Sequence, residues 1–284
     1  MSMIPRQNSP ALSRPIGRFG VQAVSDGQLR TTLDVVVGLD QAEKERLSGT
    51  SGGDPIFLPV NSLLLDLDGK RVLVDVGAGG TMGPTLGQLA GNLQAIGVSP
   101  ESVETILLTH LHPDHSNGLI DADGQPVYPN AELILHEREA EFWLDREPSA
   151  TDIERVRNGM NMAKRVTAPY LGRMRRVADG EVFTGVSAVL QAGHTPGHTG
   201  WLLESEGDRL LIWGDIVHLA SVQVPRPDAA LVFDVDQAMA CQSRQRVFDW
   251  VAGERIRVAG AHLGFSGFGH LRREGSGFAY QPEG

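Results

Sequence analysis

The sequence predicts a layered α/β protein, because short apolar strands alternate with helical segments and polar residues follow several of the strands. Apolar runs at 60–67 and 72–76, separated by Asp68-Gly69, predict a β-hairpin, since Asp-Gly is a strong signal for a tight turn. Residues 85–96 are predicted to form a helix whose core-facing stripe has helical spacing: Leu86, Leu89, Leu93 and Ile96.

The rest of the chain keeps this alternation. Further strands are predicted at 105–108, 132–135, 186–190, 201–204 and 210–213. Helices are predicted at 137–145, 153–166 and 236–251. Two sheets packed between helices accommodate this order. Because residues 1–15 and 38–55 are rich in Pro, Gly, Ser and charge, we expect a tail at 1–15 and, at 38–55, a mobile loop that could cover the pocket. A single domain is expected over 16–284.

The hexapeptide 110–115 carries the strongest chemical signal. It reads His-Leu-His-Pro-Asp-His and follows the apolar run 105–109. Alternate residues of an extended chain point the same way, so His110 and His112 can reach one metal ion. Pro113 favours a turn, which would aim Asp114 and His115 at a second ion.

Four side chains cannot complete two metal sites, so further ligands are expected elsewhere. His194, Asp215 and His262 each follow a short apolar run. The carboxyl ends of strands are where open sheets place their sites. Each of these residues alone could be a cap or a surface side chain, but together with the hexapeptide they form a pattern.

That order of ligands resembles the metallo-β-lactamase superfamily over about residues 16–280. The stretch Gly77-Ala78-Gly79-Gly80-Thr81-Met82-Gly83-Pro84-Thr85-Leu86-Gly87, the segment Glu141-Phe142-Trp143-Leu144 and the tripeptide Ala261-His262-Leu263 are similar to the methyl parathion hydrolase and aryl lactonase group. The resemblance implies an αββα sandwich. It also implies that one metal is held by His110, His112 and His194, that the second is held by Asp114, His115 and His262, and that Asp215 bridges them.

The implied chemistry is hydrolysis by a metal pair. Two divalent ions roughly 3.5–4 Å apart can share a water, lower its pKa and present a bridging hydroxide, with Asp114 and Asp215 as the catalytic carboxylates beside it. Zinc is the default for a set of nitrogen and oxygen ligands, although Mn²⁺, Co²⁺ and Fe²⁺ accept the same groups. The sole cysteine, Cys241, falls in a predicted helix remote from the ligand-bearing turns and is interpreted as a packing residue.

Two polar residues are candidates for supporting roles. Asp75 ends a predicted strand and could orient a metal-bound imidazole, or it could simply cap the strand. His198 lies in a Pro-Gly-His turn and is predicted to be structural, because seven ligands already fill a two-metal site. His136 and His270 are assigned no role.

The substrate pocket is predicted to include Met82, Trp143, His218 and Phe233. Phosphotriester-hydrolysing members of the resembled group have an apolar residue at the position that His218 occupies. An imidazole beside the metals suits a planar ester or lactone better than a tetrahedral phosphotriester, although His218 as an exposed loop residue stays open. Phe142 is more consistent with core packing, since adjacent helix positions do not share a face.

The composition and net charge of the chain limit the classes of partner that it is expected to bind. The 284-residue chain has a formal net charge of −10, which opposes binding to nucleic acid and favours a small-molecule substrate. One cysteine allows no internal disulfide. Because residues 1–19 hold no apolar signal core and no apolar run spans a bilayer, we expect a cytoplasmic enzyme without a membrane role. Relatives are often dimers, so a homodimer is an open expectation.

Three hypotheses follow. The first is a dinuclear zinc-dependent hydrolase of lactones or aryl esters, with hydrolysis of methyl parathion-like triesters as a secondary trait. The second is a thioesterase of the glyoxalase II kind, which uses added helices after the last histidine, whereas few residues follow His262 in this sequence. The third is a binding or redox relative, which would lose ligands or append an electron-carrying domain. All seven ligands are present, which favours the first.

Overall fold

A computed structural model describes residues 13–275 and 277–283. Its strands are β1 (Gly20–Thr31), β2 (Val36–Val37), β3 (Ile56–Leu67), β4 (Lys70–Val74), β5 (Thr105–Leu107), β6 (Glu132–His136), β7 (Met174–Val177), β8 (Gly180–Phe183), β9 (Val186–Leu190), β10 (Thr199–Ser205), β11 (Asp208–Ile212), β12 (Ala230–Leu231), β13 (Arg257–Ala259), β14 (Phe268–Glu274) and β15 (Gly277–Pro282). Its α-helices are α1 (Gln41–Ser48), α2 (Leu89–Ala95), α3 (Pro113–Ser116), α4 (Glu137–Ala140), α5 (Glu154–Thr167), α6 (Ala220–Gln223) and α7 (Gln237–Glu254).

Two large sheets carry the fold. The first has the order β1-β3-β4-β5-β6-β7, and its members from β4 onward are parallel. The second has the order β15-β14-β13-β11-β10-β9-β8, in which β11 and β13 are the parallel pair. A two-stranded ribbon pairs β2 with β12. The predicted hairpin is present as β3 and β4, which turn at Asp68-Gly69.

The side chains that alternate along the strands show that the fold has four layers. In β3, Leu63 and Leu65 pack between the two sheets, whereas Leu64 packs on the opposite side against a helical layer. In β11, Leu210 packs between the sheets and Leu211 packs against α7. Since successive strand residues face opposite sides of a sheet, each sheet has one face on its partner and one face on helices. The αββα sandwich implied by the family resemblance is therefore confirmed.

The helices bury one face each on the outside of a sheet. α5 contributes Val156, Met160 and Ala163 to the core outside the first sheet. α7 contributes Val247 and Phe248 to the core outside the second. Cys241, in α7, is partly buried, and its Sγ lies 3.3 Å from the carbonyl oxygen of Asp228.

The sequence interpretation needs several corrections. Residues 38–55 are not simply a loop, because α1 forms there with the Asp40 side chain accepting a hydrogen bond from the backbone N–H of Glu43. The helix predicted over 85–96 begins only at Leu89, and Ile96 is 36% exposed. The 12-residue strand β1 was not predicted, and neither were β14 and β15. Most of the predicted tail, residues 1–12, lies outside the described residues.

The topology gathers the ends of several strands at one edge of the sandwich. Asp75 follows β4, the hexapeptide 110–115 follows β5, and Asp215 follows β11. His194 and His262 follow β9 and β13. Within the described residues, no helix has the length and apolar character needed to span a bilayer.

Candidate metal centre

Three imidazole rings converge at the first of two ligand clusters. His110 Nε2 lies 3.0 Å from His112 Nδ1, which in turn lies 2.8 Å from His194 Nε2. Pro113 is the first residue of α3, so the chain leaves His112 in extended conformation and turns at once into a helix. This turn separates His110 and His112 from the ligands that follow them in the hexapeptide.

The second cluster contains Asp114, His115 and His262. His115 Nε2 and His262 Nε2 lie 3.8 and 3.5 Å from Asp114 Oδ2. All three residues are buried. The hexapeptide therefore contributes two side chains to each cluster, as its spacing predicts.

Asp215 stands between the clusters. Its Oδ2 lies 3.1 Å from His194 Nε2 and 3.6 Å from His110 Nε2. Its Oδ1 lies 3.1 Å from His115 Nε2 and 3.3 Å from His262 Nε2. Each carboxylate oxygen thus faces a different cluster, which is the arrangement that a bridging ligand requires.

The outward nitrogens of four imidazoles donate to protein oxygens. His194 Nδ1 donates to Asp234 Oδ1 (2.8 Å) and His262 Nδ1 donates to the carbonyl oxygen of Pro59 (2.7 Å). His115 Nδ1 donates to Asp75 Oδ2 (2.8 Å). His110 Nδ1 lies 3.0 Å from Thr109 Oγ1. In the neutral form of each ring, these bonds fix the tautomer and leave Nε2 as an inward lone pair.

Asp75 supports both clusters. Its Oδ2 also accepts a hydrogen bond from Thr109 Oγ1 (2.8 Å), so it steadies His110 through Thr109 as well as His115 directly. The residue has φ +58°, a conformation that costs about 1 kcal/mol or more for a non-glycine residue. The supporting role for Asp75 is thus the one that the geometry favours over a simple strand cap.

The residues present fit a pair of metal ions. His115 Nε2, His262 Nε2 and Asp215 Oδ1 are buried, and no hydrogen bond satisfies them in the described part of the chain. Burial lowers the pKa of His110 and His112, which keeps both rings neutral. Burial would raise the pKa of Asp215, but the surrounding histidines hold it well below its usual range. Against the effect of burial, the charge of Asp215 raises the pKa of His115, His194 and His262. Since metals bind neutral imidazoles and ionised carboxylates, metal binding would displace the protons of these three rings.

His198 is a structural residue, as predicted. Its Nδ1 lies 3.2 Å from the carbonyl oxygen of Gln191, and its Nε2 accepts a hydrogen bond from the backbone N–H of Asp215 (2.9 Å). Both ring nitrogens are therefore used by the backbone. Gly214 makes this contact feasible, because it has φ +54° and a Cβ there would lie 2.6 Å from His198 Nε2.

A cavity of about 570 Å³ opens onto the clusters. The four residues predicted to line the substrate pocket all border it: Met82, Trp143, His218 and Phe233. His218 is buried rather than an exposed loop residue, and its Nε2 lies 3.0 Å from Asp215 Oδ2. Phe142 does not border this cavity and packs on the core outside the first sheet instead.

Sequence reasoning missed two buried carboxylates that hold the site together. Asp234 Oδ2 accepts a hydrogen bond from the backbone N–H of Leu231 (2.8 Å), while its Oδ1 accepts one from His194 Nδ1. Glu139 has no exposed surface and accepts bonds from Leu111 N–H (2.8 Å), Thr195 Oγ1 (2.6 Å) and Gly197 N–H (3.0 Å). Glu139 thereby ties the hexapeptide to the turn after His194.

No local signal identifies either residue. Asp234 is 40 residues from His194, and Glu139 is 28 residues from Leu111 and 56 from Thr195. Only the tertiary structure brings them to the site.

Comparison with known proteins agrees with this geometry. Residues 55–244 match the family model described as the metallo-beta-lactamase superfamily. The uncharacterized protein YobT of Bacillus subtilis (strain 168) is 29% identical over 169 residues, which are 58% of this chain and 65% of YobT. An N-acyl homoserine lactonase of Bacillus cereus is 27% identical over 179 residues, 56% of this chain and 64% of the lactonase. The matches thus span slightly less than two thirds of these curated relatives.

Solved structures match over nearly the whole chain. The hydrolase AbOPH, described as a member of the beta lactamase superfamily, superposes with a TM-score of 0.93 at 30% identity, covering 98% of this chain and 99% of its own. AidC, a dizinc quorum-quenching lactonase, superposes with a TM-score of 0.88 at 24% identity, covering 96% and 97%, and shows the shared fold. With its αββα layers, its two ligand clusters and a family match over two thirds of its length, the chain belongs to the metallo-β-lactamase superfamily.

Proposed function

We propose that this protein is a dinuclear metal-dependent hydrolase that opens lactones or cleaves aryl esters. The observation that carries the proposal is Asp215, whose two oxygens face two separate groups of imidazole nitrogens at 3.1–3.6 Å. Bound in these clusters, two divalent ions would lower the pKa of water and polarise a carbonyl oxygen. Zinc suits the nitrogen and oxygen donors.

The chain's own residues would position the ester and move the proton. Water adds to the acyl carbon, the acyl carbon–oxygen bond breaks, and one water proton ends on the departing oxygen. Asp114 borders the cavity and lies in the second ligand cluster, so we assign it the transfer of that proton. The apolar walls exclude bulk water and strengthen the electrostatic interactions inside.

His218 is the residue that favours a carbonyl substrate. It is buried, and its ring stacks on His262 with centroids 4.7 Å apart, which fixes its place beside Asp215. A neutral imidazole carries one N–H, and Nε2 of His218 lies 3.0 Å from Asp215 Oδ2. With Asp215 bound to metal, we propose that this N–H would instead donate to a carbonyl or alkoxide oxygen held at the clusters. Trp143, packed edge to face on His112, offers an apolar wall to an aromatic leaving group.

Metal content and a substrate panel test the proposal together. We expect two zinc ions per chain and the highest kcat/KM for an aryl lactone or aryl ester, above acyl-homoserine lactones, methyl parathion-type triesters and S-lactoylglutathione. Asp215→Ala should lower kcat by several orders of magnitude without unfolding the chain, as judged by circular dichroism. Asp208→Ala, on an exposed carboxylate of β11, is the matched control.

Three outcomes would contradict the proposal. Fewer than two ions in metal-replete protein would remove the dinuclear centre. A thioester as the best substrate would favour the glyoxalase II-like alternative. Normal turnover by Asp215→Ala would remove the bridging role of this carboxylate.

A further inference from the structure

We propose that Arg155 binds a carboxylate at the end of the substrate remote from the scissile bond, so that the site prefers lactones or esters carrying an anionic group. The inference rests on the hydrolase function proposed above and specifies its substrate class. Arg155 is the only arginine or lysine among the described residues that line the cavity at the metal clusters.

A packed helix holds Arg155 at the cavity. The residues of α5 that border the cavity include Arg155, Asn158, Gly159 and Met162. Positions three, four and seven apart lie on one face of a helix, so this face of α5 forms a wall of the cavity. Gly159 lets the wall approach closely, because a Cβ there would lie 2.6 Å from the Trp143 ring. Arg155 is therefore presented from a fixed element rather than from a loop.

The guanidinium of Arg155 lacks a partner within the described residues. Arg146 pairs with Asp152 (3.0 Å) and Arg175 with Glu132 (3.0 Å), whereas no ion pair or hydrogen bond to a described residue engages Arg155. Burial lowers the pKa of Arg155, while Asp234 opposes that shift, and the group stays charged at neutral pH. Arg155 is exposed, so its guanidinium is accessible to an incoming anion, and a carboxylate can accept two parallel N–H bonds from it.

Arg155 shares its cavity with the metal clusters. The same cavity is bordered by His112, Asp114 and His194. Most other side chains along the cavity wall are apolar: Leu29, Met82, Val156, Met162, Phe233 and Val235. Glu154 also borders the cavity, but no ion pair joins it to Arg155 among the described residues. A substrate held at the clusters would thus cross an apolar wall and end at a single positive charge.

A matched pair of esters tests this inference. Mono-4-nitrophenyl glutarate and the 4-nitrophenyl ester of glutaramic acid differ only in a terminal carboxylate or carboxamide. We expect the zinc-loaded protein to prefer the carboxylate in kcat/KM by about tenfold or more, mainly through KM, as for one charge-assisted hydrogen-bonded pair. Arg155→Gln should bring the ratio of the two kcat/KM values to about one, and Arg155→Lys should keep part of the preference. Arg165→Gln, an exposed arginine of α5 that does not line the cavity, should keep the whole ratio.

Binding of the products separates this inference from the hydrolase proposal. Glutarate should bind the zinc-loaded protein more tightly than glutaramate by calorimetry, and Arg155→Gln should remove the difference. A wild-type protein that hydrolyses both esters at equal kcat/KM, or an Arg155→Gln variant that retains the wild-type ratio, would overturn the role of Arg155 and leave the hydrolase function standing. Failure to hydrolyse either ester, with glutarate still selected through Arg155, would overturn the hydrolase function alone. Equal binding of glutarate and glutaramate would overturn the anion site.

Discussion

The backbone N–H of Asp215 donates a hydrogen bond of 2.9 Å to Nε2 of His198, a histidine that lies outside both ligand clusters. The other nitrogen of His198 is held by the carbonyl oxygen of Gln191, so the ring is locked between two backbone groups. Burial lowers the pKa of His198 to about 3, which keeps Nε2 a hydrogen-bond acceptor at neutral pH. The neutral imidazole of His198 therefore positions Asp215, the proposed bridging residue, through a hydrogen bond to its backbone.

His198→Ala should weaken metal binding without removing a ligand. Loss of the acceptor frees the backbone of Asp215, and we expect zinc affinity to fall about ten- to hundredfold. The cavity and the lost hydrogen bonds should also lower the free energy of unfolding by about 3 kcal/mol. Competition with a chromophoric chelator and urea denaturation measure the two effects. His270→Ala, at a half-buried histidine of β14 that pairs with Glu283, should change neither. Unchanged zinc affinity in His198→Ala would refute the positioning role.

Asp234→Asn should loosen the first cluster. Asp234 Oδ1 accepts a hydrogen bond from His194 Nδ1, and an amide oxygen in its place would accept that bond more weakly because it carries no negative charge. We expect about ten- to hundredfold weaker binding of one zinc ion and a parallel fall in kcat. Isothermal titration of zinc into metal-free protein measures the affinity for each ion, with Asp228→Asn, at an exposed carboxylate, as control. Equal weakening of both ions would argue against a role confined to His194.

His218→Leu should change substrate preference. Removing one donor to a developing oxyanion lowers kcat/KM for aryl esters and lactones by about a hundredfold. A bulky triester that does not use this donor should lose less, so the ratio of triester to ester activity rises. Paired kcat/KM measurements at verified zinc content test the change, and His136→Leu, outside the cavity lining, is the control. Proportional losses on every substrate would show that His218 serves the metal centre instead.

Glu139 should make the stability of the metal-free protein depend on pH. Burial raises the pKa of Glu139 from 4.5 to about 7, against the hydrogen bonds from Thr195 and Leu111 that lower it. Between pH 4.5 and 7 the folded state therefore holds a proton that the unfolded state has released, so its contribution to stability is complete below pH 4.5 and is lost as the pH rises through 7.

The Glu139 contribution is at most about 3 kcal/mol. Urea denaturation at several pH values should show a smaller decline in the free energy of unfolding for Glu139→Gln than for the wild type. Glu141→Gln, an exposed neighbour, should follow the wild type. Parallel curves for Glu139→Gln and the wild type would contradict the shifted pKa.

The elements that were predicted correctly depend on interactions between residues close together in the sequence. The strand β9 and the hairpin β3–β4 follow from apolar runs and an Asp-Gly turn, and the structure has them at or near the predicted residues. Strand β1 was missed, because Ser25, Asp26 and Gly27 interrupt its alternation at a bulge. Asp26 is buried there and accepts hydrogen bonds from the backbone of the 78–89 segment. No local pattern in the sequence predicts these bonds.

By itself, the sequence determined which residues could bind metal, because imidazole and carboxylate side chains at the ends of apolar runs are a property of residue type and spacing. It also determined the αββα class through its family resemblance. Only the tertiary structure decided that Asp75, Asp234 and Glu139 hold the ligands, and that Arg155 faces the cavity. Those relationships join residues far apart in the chain, and they depend on how the two sheets and α5 pack rather than on any periodicity along the sequence.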